Sequence, residues 1–398
     1  FLAVPLLAPA NANLYDDEAG YLGLAHRLVG GHYLSGRDDL VGGGPDYPNL
    51  WFGPGLPLAL APLVALHLPV ALIRLAGPAF LFAALVVFFR LLALYLPPRR
   101  ALLGAALFGL YLPFYTVIAF LHSEALAVLC AVLALYGIAR HLAGGSRRSL
   151  LLAAGGLAGL ALTRVAFGWI VAVLLVLFAA VWLVRRRAWA RRLVLVHALA
   201  LALCLPWLAY TYSVTGHVFY WGASGSLSLY WITAPYPGDR GDWHGAADVF
   251  RDPRLAPHRP FFRSLRGLDL AEQNAKLRDA ALTNIRERPM KFVENVLANA
   301  SRIWVNAPYS FKPFRPTGLV YAIPNVLLLL ALLRRLVRYV RGRGWPWPEL
   351  AAFAGVAAVG VALHVVLSGY PRMLVPVIPA LLWLVLVERP PAAEARHG

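Results

Sequence analysis

The amino-acid sequence predicts an all-α protein that crosses a membrane several times. Of its 398 residues, 60% are hydrophobic and only 14% are charged, whereas about a quarter of the residues in ordinary soluble domains are charged. Long apolar stretches recur along the chain, and short arginine clusters separate alternate pairs of them. The net charge of +18 is therefore divided among loops, which fits membrane topology and argues against a nucleic-acid partner.

Nine apolar stretches are candidates for crossing the hydrocarbon core. They run over residues 72–96, 101–120, 123–141, 149–163, 165–184, 193–212, 318–337, 349–368 and 373–388. The chain opens with FLAVPLLAPA, which is apolar but too short for a core that needs roughly twenty residues. We expect this segment to be the remainder of a further membrane helix and not a cleavable signal peptide, so the predicted bundle has roughly nine to ten transmembrane helices.

Arginine clusters predict the orientation of this bundle. They are Arg99–Arg100; Arg140 with Arg147–Arg148; Arg185–Arg187 with Arg191–Arg192; and Arg334, Arg335, Arg338, Arg341 and Arg343. The positive-inside rule places these clusters in the cytoplasm. The loop over 11–71, the corners at 122–124 and 164, the stretch 213–317 and the turn at 369–372 then face outward.

This topology divides the chain into three parts. Residues 1–212 form a transmembrane module that includes the first outer loop, residues 213–317 form an outer-face region, and residues 318–398 form the C-terminal transmembrane helices. Four prolines within 54–70 favour a re-entrant or interfacial helix in the first part. In the second part we expect a helix over 270–304, broken at Pro289, whose apolar stripe lies on the bilayer. That stripe consists of Phe292, Val293, Val296, Leu297, Ala300 and Ile303.

Two acids, Asp17 and Glu18, stand out in the first outer loop, within LYDDEAGYLGLAHRL. The apolar residues that follow recur at helical spacing and predict an amphipathic helix lying on the membrane surface. Its apolar face comprises Tyr21, Leu22, Ala25, Leu28 and Val29, and Gly20, Gly23 and Arg27 lie opposite. Acids at a helix start also have a purely structural explanation, because their charge opposes the positive end of the helix dipole.

Several short segments, taken in order, resemble a known enzyme family. They are DDEAGYLGLAHRL, YPNLWFGPGLPLALAPLVAL, Arg74-Leu75, SEAL at Ser123–Leu126, LTR at Leu162–Arg164, and YPRMLVPVIP near the end. The set resembles the GT-C glycosyltransferases that use polyprenyl-phosphate sugars, in the branch of protein O-mannosyltransferases and lipid A aminoarabinose transferases. The resemblance implies a GT-C-type helix bundle with an outward-facing cavity that receives a lipid-linked donor.

The resemblance also implies an activity and a location. The protein would transfer a sugar from a polyprenyl-phosphate donor to an envelope glycan, lipid or protein, on the periplasmic face of the inner membrane. Asp17 would be the catalytic base and Glu18 would position the acceptor or a cationic group; the adjacent Asp16 leaves the register of this match open. Attack opposite the leaving phosphate would invert the anomeric configuration.

Three arginines at the outer ends of apolar stretches are candidates for binding the donor phosphate: Arg74, Arg164 and Arg372. A guanidinium binds two phosphate oxygens at once and keeps its charge. Snorkelling of these side chains to lipid headgroups is the structural alternative.

His122 and Glu124 are candidates for contacting the acceptor, or for binding a divalent cation together with Asp17 or Glu18. A helix cap or a hydrogen-bonded corner explains them equally simply. Apart from that cation, the residues indicate no cofactor, and the glycines at 42–44 lack the strand-to-helix setting of a nucleotide-phosphate loop.

Two other classes of protein compete with the enzyme interpretation. A lipid or solute transporter, such as a flippase, would also have many membrane helices and arginines, but it usually has repeated halves and charged groups near the membrane midplane. A structural subunit of an envelope-building complex would leave the two acids without a role.

Overall fold

A computed structural model describes residues 1–7, 16–33, 50–268, 270–341 and 347–388 of the chain. Over these ranges the secondary structure consists of helices, with no β-strand. The all-α prediction is therefore confirmed for the described residues.

Twenty α-helices lie in these ranges. They are α1 (Ala3–Leu7), α2 (Asp16–Val29), α3 (Gly55–Ala65), α4 (Val70–Ile73), α5 (Ala76–Ala93), α6 (Pro98–Gly109), α7 (Pro113–Val117), α8 (Glu124–Gly144), α9 (Arg147–Thr163), α10 (Ala166–Arg185), α11 (Ala188–Leu203), α12 (Leu205–Thr215), α13 (Ser224–Ile232), α14 (Ala246–Arg251), α15 (Arg259–Ser264), α16 (Leu270–Glu287), α17 (Pro289–Val305), α18 (Leu319–Arg341), α19 (Pro348–Leu367) and α20 (Ile378–Leu386). Short 3-10 helices occupy Pro253–His258, Pro316–Gly318 and Pro371–Val377.

By length and composition, five helical segments of the described chain can cross a membrane. They are Val70–Ala93, Glu124–Gly144, Ala166–Arg185, Pro316–Arg341 and Pro348–Leu367. A sixth span is obtained if α11 and α12, which are bent by 48° at their junction, are counted as one. The described part of the chain thus has the helices of a polytopic membrane protein.

Three of the nine predicted spans are shorter or broken in the structure, so the predicted count of roughly nine to ten exceeds what the described residues contain. The stretch 101–120 is divided between α6, which ends at Gly109, and α7, which begins at Pro113, because proline has no backbone N–H and cannot continue the hydrogen bonds of α6. The stretch 373–388 begins as a 3-10 turn with Pro376 inside it and continues only as the short α20. The third, 193–212, is divided between α11 and α12, which are bent by 48° at their junction, whereas 149–163 lies within one unbroken helix, α9.

Small residues allow α8 and α9 to pack closely. A Cβ added to Gly156 of α9 would lie 2.5 Å from the backbone nitrogen of Ala134, and one added to Gly137 of α8 would contact the backbone of Ala153. These paired contacts run in opposite chain directions, so the two helices are antiparallel. Close backbone approach through small residues is typical of membrane helices.

The antiparallel arrangement separates two groups of charges. Glu124 begins α8 and Arg164 directly follows α9, so both lie at one end of this helix pair. The arginines at 147 and 148 begin α9 and therefore lie at the other end. We call the end with Glu124 and Arg164 the carboxylate end.

The predicted amphipathic helix exists as α2, but its location differs from the expectation. Tyr21, Leu22 and Ala25 are buried in the protein core, and α2 packs against α3. The prediction that this face lies on the membrane surface is therefore wrong for these residues, because the α3 segment covers it.

The predicted helix over 270–304 is confirmed, with its break, as α16 and α17 on either side of Arg288 and Pro289. The polar side of α17, with Asn295, Asn299 and Arg302, is buried, whereas Val293 and Leu297 of the predicted apolar stripe are exposed. Ile303, at the end of the stripe, is buried. An exposed apolar face with a polar interior face fits the predicted bilayer contact, which stays a prediction.

Candidate functional site

A chain of ion pairs occupies the carboxylate end of the helices. Arg372 Nη1 donates a 2.8 Å hydrogen bond to Asp17 Oδ2, and Arg372 Nε lies 4.0 Å from Glu124 Oε1. On its other side, Glu124 Oε1 accepts a 3.0 Å hydrogen bond from Arg164 Nη1. The structure thus brings together four of the residues that the sequence predicted for the site.

These four side chains come from four separate elements, each at a terminus. Asp17 lies in the first turn of α2 and Glu124 is the first residue of α8. Arg164 follows α9 with extended backbone, and Arg372 lies in the 3-10 turn that precedes α20. Acids at helix N-termini are stabilised by the helix dipole, so the structural explanation weighed for Asp17 holds together with its arginine contact.

Accessibility differs strongly along this chain of ion pairs. Glu124 is 1% exposed and Arg164 is 14% exposed, whereas Asp17 is 23% and Arg372 38% exposed. A ligand from solution or from the membrane surface can therefore reach the Asp17–Arg372 contact, while Glu124 and Arg164 support it from inside. Arg164 also donates to Ser123 Oγ at 3.3 Å and to Met373 Sδ at 2.6 Å, which fixes its guanidinium on the inner side.

The carboxylate of Asp17 is held in its ionised form. Burial alone would raise the pKa of Asp17, but the adjacent His122 and Arg372 outweigh burial and hold the pKa well below its usual range. Asp17 is consequently a carboxylate at any physiological pH.

His122 lies beside the same carboxylate oxygen, with Nδ1 3.8 Å from Asp17 Oδ2. This distance allows an ion pair but is too long for a direct hydrogen bond. Burial lowers the pKa of His122, but the nearby carboxylates of Asp17 and Glu124 have the larger combined effect, so its pKa is raised. His122 therefore adds positive charge to the site as the pH falls.

Two buried polar atoms next to Arg372 have no hydrogen-bond partner within the described residues. They are His122 Nδ1 and Glu124 Oε2. Buried polar atoms are nearly always paired in folded proteins. Both residues lie close to the accessible Asp17–Arg372 pair, which marks this region as a place where a polar ligand could be bound.

Glu18 and Arg74 form a second, separate pair. Arg74 Nε donates a hydrogen bond to Glu18 Oε1 and Arg74 Nη2 donates one to Glu18 Oε2, each at 2.8 Å. Both side chains are almost fully buried, with Arg74 4% and Glu18 0% exposed. The backbone N–H of Leu121 also donates to Glu18 Oε1 at 3.2 Å. This geometry favours a structural role, because neither group can reach an acceptor or a phosphate without breaking the pair. The role of Glu18 in positioning an acceptor, and that of Arg74 in binding phosphate, stay predictions.

Metal ligation receives no support from the described residues. No three His, Cys, Asp or Glu side chains in them are grouped so that they could hold a metal ion. The carboxylates of Asp17 and Glu124 contact arginines instead. The divalent cation considered from the sequence has no ligand set in these ranges.

An apolar cavity of about 240 Å³ lies near the opposite end of α2. Its lining includes Leu28 and Tyr33, together with Pro54, Leu58, Leu162, Leu203, Pro206, Trp207 and Tyr210. Leu28 is eleven residues beyond Asp17, which corresponds to about 16 Å along a helix. The lining also includes Leu162, two residues before Arg164, and the apolar walls suit a hydrocarbon chain.

A buried polar cluster in the 213–317 segment was not foreseen from the sequence. Arg302 donates to the carbonyls of Pro308 at 2.7 Å and Arg240 at 2.6 Å, and to the side chain of Asn299. Asp242 accepts a 2.8 Å hydrogen bond from the backbone N–H of Ser310. Asn299 and Arg302 lie on α17 and Asp242 on a loop, and polar residues of these types are mostly exposed in proteins, so only the fold shows that they are internal.

Comparison of the chain with known protein families finds no matching family model, and comparison with characterised proteins finds no matching sequence. The function is therefore argued from the geometry of the site.

Proposed function

We propose that this protein is a membrane glycosyltransferase that moves a sugar from a polyprenyl-phosphate donor to a hydroxyl or amine of an envelope glycan, lipid or protein, with inversion at the anomeric carbon. The observation that carries the proposal is the 2.8 Å contact between Asp17 and Arg372 at an accessible rim. A base for the acceptor and a cation for the phosphate are the two groups that this reaction needs.

The proposed reaction assigns one group to each charge that develops. The acceptor oxygen or nitrogen forms a bond to the anomeric carbon while the bond from that carbon to the phosphate oxygen breaks. The electron pair of the broken bond leaves with the polyprenyl phosphate, and Asp17 takes the proton of the acceptor. A carboxylate is a weak base, so proton transfer occurs late, when the new bond has acidified the nucleophile.

Arg372 contacts Asp17 in the structure, so the proposal requires an exchange of partners. The donor phosphate replaces the Asp17 carboxylate on the Arg372 guanidinium, which binds planar pairs of oxygens equally well in either anion. Because Arg372 is one of the groups that lower the pKa of Asp17, its transfer to phosphate raises the basicity of the carboxylate. Donor binding thus prepares the base.

The neighbouring residues support this exchange. Glu124 lies 4.0 Å from Arg372 Nε, so it retains the guanidinium when Asp17 lets go of it. His122 lies beside the same carboxylate oxygen of Asp17 as Arg372, where its positive form stabilises the departing phosphate or the ionised base. Arg164 pairs with Glu124 Oε1 from the inner side and stays in place.

The position of the site favours a lipid-borne substrate over a transported one. Asp17 and Glu124 lie at helix termini, at the end of the α8–α9 pair opposite the arginines at 147 and 148, whereas coupling sites of transporters lie near the membrane midplane. With those arginines in the cytoplasm, the carboxylate end faces the periplasm of an inner membrane. The apolar cavity beside α2 adds a surface for an isoprenoid chain.

The purified protein, reconstituted in phospholipid vesicles, tests the proposal against a panel of polyprenyl-phosphate sugars that differ in the sugar. We expect at least one donor to release polyprenyl phosphate, and the product to have inverted anomeric configuration by NMR. Asp279→Asn is a matched control, because Asp279 is 68% exposed on α16 and pairs with its neighbour Arg278. Release that is absent for every donor and acceptor, or a retained configuration, would refute the reaction.

A further inference from the structure

The linker between α19 and the following 3-10 helix connects the two polar regions of the molecule. Tyr370 is the last residue of this linker and Arg372 lies two residues later in the 3-10 helix, but the two contact different segments. The Tyr370 hydroxyl accepts a 2.9 Å hydrogen bond from the backbone N–H of Trp243 and donates a 3.2 Å hydrogen bond to the backbone carbonyl of Trp243. Arg372 reaches Asp17. One short piece of backbone therefore joins the 213–317 segment to the ion-pair site.

The linker is also fixed where it passes α17. A Cβ added to Gly369 would lie 2.6 Å from the backbone oxygen of Asn299, so the two backbones are in close contact. The side chain of Asn299 donates a 3.2 Å hydrogen bond to the carbonyl of Val365, in the last turn of α19. The linker therefore has little freedom to slide along α17.

The ring of Tyr370 is held from a second direction. The guanidinium of Arg302 lies 5.1 Å from the ring centroid of Tyr309 and 5.8 Å from that of Tyr370, within cation–π range. Arg302 is fully buried, and its donors are used by backbone carbonyls of the 213–317 segment and by Asn299. Tyr370 is thus anchored by its ring as well as by its hydroxyl.

Trp243 is in turn connected to the helix that carries Asp17. The rings of Trp243 and Trp51 lie 5.6 Å apart, and Phe52 packs on Tyr21 of α2 at 4.4 Å. Trp243 is therefore linked to both partners of the ion pair, to Arg372 through Tyr370 and to Asp17 through α2. The contacts form a closed ring around the site.

We propose that Tyr370 is a positioning residue, which sets Arg372 opposite Asp17 by tying the linker to the backbone of Trp243. The expected effect of Tyr370 on catalysis rests on the proposed function, whereas its placement of Arg372 opposite Asp17 does not. Tyr370 itself touches neither the acceptor nor the phosphate. Loss of its hydroxyl lets Arg372 drift from the place where the donor phosphate binds.

Donor kinetics of Tyr370→Phe test this role, with Tyr309→Phe as the matched control. Tyr309 lies in the same cluster and loses a comparable hydroxyl, which donates a 2.5 Å hydrogen bond to Asn306. We expect Tyr370→Phe to raise the donor KM about three- to tenfold, the range for one or two hydrogen bonds, with little change in kcat. Tyr309→Phe should keep the KM of the unmodified protein. Equal effects of the two substitutions would overturn the proposal, because they would reflect general loosening of the cluster.

A double-mutant cycle adds a sharper criterion. In an Arg372→Ala background the Tyr370→Phe change should have no further effect on the donor KM, because the residue through which Tyr370 acts is gone. Additive effects would contradict the proposal.

The pKa of His122 gives a measurement that does not depend on catalysis. Asp17, Glu124 and Arg372 face this imidazole, and of these only Arg372 lowers its pKa, so displacement of Arg372 raises it. Histidine-selective ¹³C labelling reports this pKa, and the signal missing in His122→Gln assigns it. We expect an upward shift in Tyr370→Phe and none in Tyr309→Phe. If the shift is seen but no donor is turned over by the unmodified protein, the positioning role stands and the glycosyltransferase proposal fails; an unchanged His122 in Tyr370→Phe refutes the positioning role.

Discussion

Asp17→Asn and Glu18→Gln are adjacent, nearly isosteric substitutions for which the structure predicts opposite outcomes. Glu18 forms a bidentate pair with buried Arg74, and Glu18→Gln replaces the charged carboxylate of this pair by a neutral amide inside the protein. Removing one partner of such a buried pair costs about 3–5 kcal/mol of folding free energy. Asp17 and Arg372 are 23% and 38% exposed, and pairs of this kind contribute about 0.2–1 kcal/mol.

The catalytic expectations are reversed. Loss of a general base lowers turnover by about 10²–10⁴-fold, so Asp17→Asn should lose nearly all transfer while the protein stays folded. The same substitution removes the anion that competes with phosphate on Arg372. The Asp17–Arg372 pair no longer has to be broken when the donor binds, so donor binding should become tighter by about 1.5- to 5-fold. Weak turnover with tighter donor binding is the signature that we expect from Asp17→Asn.

Thermal unfolding in detergent and single-turnover transfer in vesicles measure the two properties separately. We expect Glu18→Gln to lower the unfolding temperature markedly, and its folded fraction to keep most of the transfer rate. The reasoning would be refuted if Asp17→Asn kept more than about a tenth of the turnover, or if Glu18→Gln abolished transfer without loss of stability.

Three further outcomes follow from the structure. Arg372→Lys keeps the charge but loses the planar guanidinium, so we expect the donor KM to rise about tenfold in steady-state assays, and an unchanged KM would exclude Arg372 from the phosphate site. The pKa of His122 is raised in the folded protein, so the stability that protonated His122 adds is complete below the unfolded pKa near 6.5 and is lost as the pH rises through the folded pKa. The difference in unfolding temperature between the unmodified protein and His122→Gln should therefore shrink from pH 6 to pH 9. A difference that stays constant over this range would contradict the sign of the pKa shift. Gly156→Ala should destabilise the protein by about 1–3 kcal/mol because its Cβ meets the backbone of Ala134 at 2.5 Å, whereas Gly155→Ala, with nothing within 4 Å, should be neutral or slightly stabilising in the same unfolding assay.

The elements that follow from local pattern could be predicted from the sequence. The break at Pro289 and the helix that contains Asp17 are both present, because proline chemistry and apolar spacing act over a few residues. The spans were less predictable. Apolar composition alone does not distinguish one continuous helix from the two short helices that meet near Pro113.

The pairing of charges in the site depends on the tertiary fold. Asp17, His122, Glu124, Arg164 and Arg372 were singled out because each lies at the same predicted end of an apolar stretch, and the structure brings these five together. Which arginine meets which acid depends on how distant helices pack, and no spacing in the chain encodes that.

The role of Tyr370 could not be foreseen for the same reason. Its hydroxyl partner, Trp243, is 127 residues away in the chain. The one local signal is its place two residues before Arg372, and a tyrosine near a predicted membrane end has an ordinary explanation as an interfacial residue.

The contrast between Asp17 and Glu18 follows from helix geometry. Successive residues of an α-helix point about 100° apart, so two neighbouring acids at the start of α2 cannot share a direction. One carboxylate enters the protein and meets Arg74, and the other remains at the rim with Arg372. A pair of acids at a helix start thereby separates into an anchor and an accessible group.

The energies of the two pairs decide which arginine can bind a phosphate. A ligand anion at Arg74 would first have to displace a bidentate, buried carboxylate, a loss of about 3–5 kcal/mol that weakens binding by roughly two to four orders of magnitude. At Arg372 the displaced contact is a single hydrogen bond to a partly exposed carboxylate, which weakens binding only about 1.5- to 5-fold. Arg372 also retains Glu124 within 4.0 Å during the exchange, so its charge is never left without a counter-ion. Of Arg74 and Arg372, Arg372 is therefore the one whose partner can be exchanged, and the partner that it releases is the proposed base.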